Sequence, residues 1–332
     1  MMSFLKRLLQ RPKPQKTAEQ SLLINTATHV TAQQLIGLQQ QARKLDMTRR
    51  SYARASTTGS HYSRFRGRGM DYQESRIYQA GDDIRNMDWR VTARSGKPHT
   101  KLYQEERERP IVMLLDFNSG MFFGSVNTLK SVVVAKTAAL IAWSVANRGD
   151  RIGALIINKT HHELAPKMGK RGALQLIRAV VEYSDPIKGL EADYRANALN
   201  DELKRLRHIA RPGSMIFLIS DFYDIDEETE HHLQRLSQHN DIQAIQIVDP
   251  LEMTPPAPNA YTITDGNNTG ILDTRSKQVG EQYANTFKQH HQQLNQVMLR
   301  HNIPLIQLST ADDILLKLQC YFGGAKRARK VA

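Results

Sequence analysis

Two aspartates each close an uninterrupted apolar run. Asp116 ends Ile-Val-Met-Leu-Leu-Asp, and Asp221 ends Met-Ile-Phe-Leu-Ile-Ser-Asp. Such runs read as buried strands, and an acid at a strand's carboxyl end sits where open α/β sheets bind ligands. The plainer role for both acids is to cap neighbouring helices and receive backbone donors. A second group of chemically capable residues lies between Arg76 and Arg94: Tyr78, Asp82, Asp83, Arg85, Asp88 and Trp89. Acids and arginines this close in sequence can satisfy one another and order a segment that has few apolar residues. Alternatively, the arginines and Trp89 are anchors of a recognition surface. As a third option, these acids and Asp116 and Asp221 form a carboxylate-based active site, which requires them to converge in one cleft.

Other chemistries find little support. Gly169-Lys170-Arg171-Gly172 lacks the spacing and the final hydroxyl of a P-loop. The pairs His161-His162, His231-His232 and His290-His291 are sequence neighbours, whose side chains diverge on a helix or strand, so surface positions are expected. His162-Glu163 has no second zincin histidine, and Pro166 opposes a helix there. No Ser-His-Asp or Cys-His arrangement stands out. The single cysteine, Cys320, excludes an internal disulfide and a cysteine-rich zinc site, and reads as an inert packing residue.

The elements that must position these residues follow from periodicity. Residues 31–46 read as a helix, with Leu35, Leu38, Ala42 and Leu45 at three- and four-residue steps. Residues 48–66 read as a loop. The polar stretch from Gly67 to Pro110 predicts short strands and turns, with a turn at Gly81-Asp82-Asp83. After Pro110, strands alternate with helices. Strands are expected at 111–116, 152–157, 214–221, 242–248, 261–265, 270–273 and 305–308. Helices are expected at 129–147, 172–183, 197–209, 227–238, 278–301 and 312–321. That alternation predicts an α/β, doubly wound, mostly parallel sheet covered on both faces. The expected organisation is a basic tail at 1–30, an N-terminal helix and polar segment at 31–110, the α/β domain at 111–322 and a basic tail at 323–332.

The net charge is +13, and residues 1–110 hold most of the excess, with 21 basic against 10 acidic side chains. A basic patch suits nucleic acid, an anionic membrane or an acidic protein. The Arg64–Gly69 stretch is short and has one aromatic, a poor match to a nucleic-acid segment. No apolar run is long enough to span a bilayer, and a cytoplasmic location is expected. Residues 1–10 have charge but no signal-peptide core. They suit a frayed tail or a weak peripheral membrane contact.

The loop Asp116-Phe117-Asn118-Ser119-Gly120 resembles the D-x-S-x-S motif of von Willebrand factor type A domains. There, a carboxylate and two hydroxyls help hold a divalent ion such as Mg²⁺, with a threonine and a second aspartate from later loops. The resemblance aligns Asp116 and Asp221 with the two aspartates, Asn118 and Gly120 with the serines, and Asn197 with the threonine. The implied site is degenerate, since Gly120 offers no side chain. The run Gly67-x-Gly69, Glu74, Arg76-x-Tyr78, Gly81-Asp82-Asp83-x-Arg85, Asp88-Trp89, Ala93-Arg94, Lys101, Glu105-Glu106 and Glu108 resembles the signature of the family called domain of unknown function 58. In that family the signature precedes a von Willebrand A-like domain. The resemblance implies a non-enzymatic adaptor working with a MoxR-type AAA+ ATPase on a client protein. The competing expectations are a hydrolase using clustered carboxylates and a basic nucleic-acid or membrane-surface binder.

Overall fold

The computed structural model describes residues 27–45, 70–105, 110–158, 161–190, 198–264 and 269–322. Asn197, Gly67 and Gly69, Glu106 and Glu108, the Arg64–Gly69 stretch, the loop expected at 48–66, and residues 1–26 and 323–332 lie outside them. The chain divides into two compact units, residues 50–109 and residues 1–49 with 110–332.

The larger unit begins with two short helices, α1 (Ala32–Gly37) and α2 (Gln39–Ala42). Thr31 starts α1 with a reciprocal box: its side chain accepts the Gln34 N–H, and the Gln34 side chain accepts the Thr31 N–H. The periodicity at 31–46 predicts this helix, but its expected grouping with residues 70–110 is wrong. Leu35, Ala42 and Leu45 are buried in the core of the α/β unit.

The smaller unit contains β1 (Met70–Ile77), α3 (Trp89–Ser95) and β2 (His99–Glu105). β1 and β2 pair antiparallel, with a register shift between Tyr72 and Glu74. The expected short strands are instead a ladder of eight- and seven-residue strands. Its sequence shows little alternation of apolar with polar residues, so periodicity does not reveal it.

The rest of the larger unit runs β3 (Ile111–Asp116), α4 (Lys130–Arg148), β4 (Arg151–Ile157), β5 (His161–Met168), α5 (Gly169–Tyr183), α6 (Pro186–Leu190), α7 (Ala198–Ile209), β6 (Met215–Ser220), α8 (Glu227–Ser237), β7 (Asp241–Val248), α9 (Pro250–Met253), β8 (Ala260–Thr264), β9 (Thr269–Asp273), α10 (Lys277–Arg300), β10 (Leu305–Ser309) and α11 (Ile314–Phe322). Six strands form one sheet in the order β10-β7-β6-β3-β4-β5, parallel except for β5. This is the α/β, mostly parallel, doubly wound class expected from the sequence. β8 and β9 form a separate hairpin.

Residues along β3 alternate between two cores, which is why the strand has no polar position before Asp116. Ile111, Met113 and Leu115 join a core with α4 and α5, while Val112 and Leu114 join one with α7, α8 and α10. α4 is buried along nearly all of residues 130–145, as expected of a helix that is apolar all round. Gly149, at φ +82°, caps it in the left-handed conformation.

No element is expected at 161–168 from sequence, because β5 is polar and contains Pro166. It is the antiparallel edge strand, a place where a missing N–H does no harm. The ladder shifts register at Gly153, where a Cβ would lie 2.6 Å from the Leu164 carbonyl oxygen.

From β3 the chain winds outward through β4 and β5, then returns to the other side of β3 with β6. The switch point therefore lies between β3 and β6, whose carboxyl ends stand side by side.

α1 and α2 are tied to α4 by two buried bonds. Trp143 Nε1–H donates to the Leu35 carbonyl (3.0 Å), and Ser144 Oγ–H donates to the Leu45 carbonyl (3.2 Å). Trp143→Phe should lower stability by about 1–3 kcal/mol, because it orphans a buried acceptor and leaves a small void. Calorimetric unfolding checks this, and an unchanged melting temperature would remove the tie from the account.

Candidate functional site

β3 delivers Asp116 into the floor of the switch-point cleft, where the residue is 4% exposed. Its Oδ1 accepts the Asn118 N–H (2.9 Å) and its Oδ2 accepts the Ser220 hydroxyl (2.6 Å). Burial, with the nearby Asp221 charge next in size, pushes its carboxyl up to about 7, against the pull of Ser220, Asn118 and Lys130. Asp221 follows β6. Its Oδ1 accepts the Tyr223 N–H (3.2 Å). Phe222 between them has φ +54°, a conformation that bulky residues rarely adopt. The Phe222 ring is buried in the second core and its N–H donates to Ser220 Oγ (3.0 Å), which holds this turn in place. Neither acid caps a neighbouring helix, but both receive a backbone donor, as the plainer reading also expects. Each closes a tight turn by taking the N–H two residues on.

The residue that organises the cleft is not among those singled out from sequence. Lys130, the first residue of α4, is 2% exposed. Its Nζ donates to Asp221 Oδ2 (3.0 Å) and Glu252 Oε1 (2.6 Å). Burial alone would make the amine easier to deprotonate, but the charges of Asp221 and Glu252 outweigh it and hold the group above the ordinary lysine value. Glu252 lies on α9, and its other oxygen accepts the Asp249 N–H (2.9 Å). Asp249, fully buried, accepts the N–H (2.8 Å) and hydroxyl of Ser125 and the hydroxyl of Thr310 (2.6 Å). Burial raises the Asp249 carboxyl, but these donors outweigh it and leave the group below its usual range. One polar chain thus joins the segments that follow β3, β6, β7 and β10. A lysine at the start of a mostly apolar helix was the available sequence signal.

The cleft encloses about 310 Å³ and is lined in part by Asp116, Asn118, Gly120, Lys130, Asp221 and Tyr223. A Cβ on Gly120 would lie 3.6 Å from Asp221 Oδ2, so a side chain has room there. The described donors do not fit Mg²⁺: Asp221 already faces the buried Lys130 ammonium, and among the described residues no three His, Cys, Asp or Glu side chains converge. All four carboxylate oxygens of Asp116 and Asp221 already accept hydrogen bonds within the chain.

In the smaller unit the aspartates of the signature are engaged locally. Arg76 Nη2 lies 2.7 Å from Asp82 Oδ1, and Asp82 Oδ2 accepts the Gln79 N–H (2.9 Å). Asp83 Oδ1 accepts the Arg85 N–H (3.0 Å). Asp88 is buried and caps α3 through Val91 N–H (3.1 Å). The Ser75 hydroxyl, 2.7 Å from its other oxygen, is the main cause that lowers its carboxyl below the usual range. Arg85 and Arg94 are exposed, Tyr78 is half-buried, and Trp89 is 66% exposed.

Two minor expectations fail. His232 is buried rather than at the surface, with Nδ1 3.3 Å from Arg207 Nη1. Cys320 is exposed rather than packed.

Residues 74–293 match the family described as Protein of unknown function DUF58. Uncharacterized proteins of Mycobacterium tuberculosis and Mycobacterium bovis are each 25% identical over 287 residues, which is 86% of this chain and 89% of the relative. Among solved structures, the chain is similar to the conserved hypothetical protein BatB from Bacteroides thetaiotaomicron, with 10% identity and a TM-score of 0.40 over 65% of this chain and 100% of that one. It is also similar to an aerotolerance-related membrane protein from Bacteroides fragilis, with 11% identity and a TM-score of 0.37 over 64% and 95%.

The buried carboxyl of Asp116 makes stability depend on pH. Its folded value lies above its unfolded one, so the folded chain holds an extra proton between about pH 4 and 7. Stability therefore falls as pH rises through that window and levels off above it. Asp116→Asn removes the titration. Denaturant titrations should show a flatter profile from about pH 4 to 7 and a variant more stable than the parent at about pH 8. An unchanged slope would show that burial of this carboxyl is not its source.

Proposed function

This chain belongs to the DUF58 family, and from that premise we propose that it is a non-enzymatic protein-binding adaptor. The partner in this reading is a MoxR-type AAA+ ATPase, and the task is maturation or remodelling of a client protein in the cytoplasm. The observation that carries the proposal is the switch-point edge. Its loops are cross-linked by Lys130 and Asp249, and they present Tyr223, 72% exposed, beside Asp221 at the mouth of the cleft. Fixed loops lower the ordering cost of binding, and an exposed aromatic beside a charge is a common interface anchor. Trp89 on the smaller unit offers a second anchor of the same kind. Among the described residues, no helix is long and apolar enough to cross a membrane.

A carboxylate-based enzyme is the second reading, favoured by the raised carboxyl of Asp116 in a cleft. Against it, Asp82, Asp83 and Asp88, the other acids this reading needs, are each engaged by local donors in the smaller unit.

The test is an affinity pull-down from the source lysate, with bound proteins identified by mass spectrometry. The wild-type chain is expected to recover an AAA+ ATPase, and Tyr223→Ala to reduce recovery about tenfold, the effect of losing an interface anchor. Recovery of no ATPase by the wild type would end the adaptor reading. Equal recovery by the variant would move the contact away from this edge.

A further inference from the structure

We propose that the Lys130 ammonium takes the place of a divalent ion in this site, so that the ligand-binding edge is assembled without metal. The inference rests on reading that edge as an adhesion-type site. In such a site one cation draws together carboxylates from separate loops. Here the same connection is made by Lys130 Nζ, which reaches Asp221 after β6 (3.0 Å) and Glu252 after β7 (2.6 Å) from a helix that follows β3. The ammonium is almost wholly buried and lines the same cleft as Asp116, Asn118 and Gly120. It is covalently attached, so it does not have to be recruited, and a compact point charge on a flexible stem suits two carboxylates that approach from different elements.

Three further features agree with this exchange. The two positions that would supply hydroxyls to an ion carry Asn118 and Gly120. A Cβ on Gly120 would meet Asp221 Oδ2 at 3.6 Å, an ordinary contact, so the missing serine is not explained by crowding. The oxygens of Asp116 and Asp221 have been turned to internal donors, Ser220, Asn118, Tyr223 and Lys130. The substitution also changes what a partner can offer. A metal ion with an open coordination position captures an acidic side chain, whereas the charge of an ammonium already placed on Asp221 and Glu252 is offset by them, and it keeps a single N–H to offer. Recognition then falls to the neutral and aromatic groups at the mouth, above all Tyr223.

The experiment uses the full chain alone, so loss of the ATPase partner would sink the adaptor reading and leave this one standing. Mn²⁺ binding is measured by titration calorimetry, and Tm in Mg²⁺ and in EDTA. The wild type should bind no Mn²⁺ and show the same Tm in both. Asn118→Ser with Gly120→Ser should still bind none while Lys130 remains. Adding Lys130→Ala to that pair should produce Mn²⁺ binding and a Tm that rises with Mg²⁺. Lys130→Met in the parent chain should lower Tm on the order of 10 °C, because two carboxylates lose their buried partner. Mn²⁺ binding by the wild type or by the serine pair would overturn the proposal. So would a folded triple variant that binds none, or a Lys130→Met chain with the parent's Tm. If the triple variant does not fold, Lys130→Met decides: a Tm partly restored by Mg²⁺ supports the proposal, and one indifferent to Mg²⁺ overturns it.

Discussion

An ammonium removed from water must be paired, and that requirement organises the carboxyl edge of this sheet. Lys130 is buried at the first turn of the central helix, where an unpaired positive charge would cost several kcal/mol. Asp221 and Glu252 must therefore stay close to it. Asp221 in turn requires the turn at Phe222, whose left-handed backbone is tolerated because its ring is locked in the second core. Glu252 requires the short helix after β7, which Asp249 anchors to Ser125 and Thr310. Loops that would otherwise move independently are thus set by one charge and its partners.

The sheet beneath makes this geometry possible. β3 and β6 are parallel neighbours whose registers end together, so acids that close two distant apolar runs meet at one place. Apolar side chains alternate to both faces along the central strands β3, β4 and β6, and both faces are covered, so these strands are held without any help from the edge. The edge is free to carry buried polar chemistry, such as the raised carboxyl of Asp116, because its cost is borne by two large cores.

Legibility from sequence followed the same physics. Ile111–Asp116 and the long helix after it are readable because burial on all sides demands a run that is apolar at nearly every position. β5 is not readable: an edge strand has one neighbour, needs no apolar face and tolerates Pro166. The β1–β2 ladder escapes for a related reason, since its residues show little alternation of apolar with polar. Within the site, Asp116 and Asp221 stand out by position, at the ends of strings. Lys130, Asp249 and Glu252 do not, because their partners on other segments are 61 to 124 residues away and only the fold joins them. Nothing in the local sequence foretells the backbone at Phe222 either, since glycine is the residue that normally marks it.

The polar strand β5 has a further effect on how the molecule behaves at high concentration. An open sheet edge is a template on which a second chain can add its own backbone. This one ends in a strand that runs against its neighbour, has Pro166 within it and carries the exposed side chains of His161, Glu163 and Lys167. A proline offers no N–H to an incoming strand, and charged side chains resist being dehydrated in a dry stack. The irregular, unpatterned character that hid β5 from a reading of the sequence is therefore what keeps this side of the sheet from growing into fibrils.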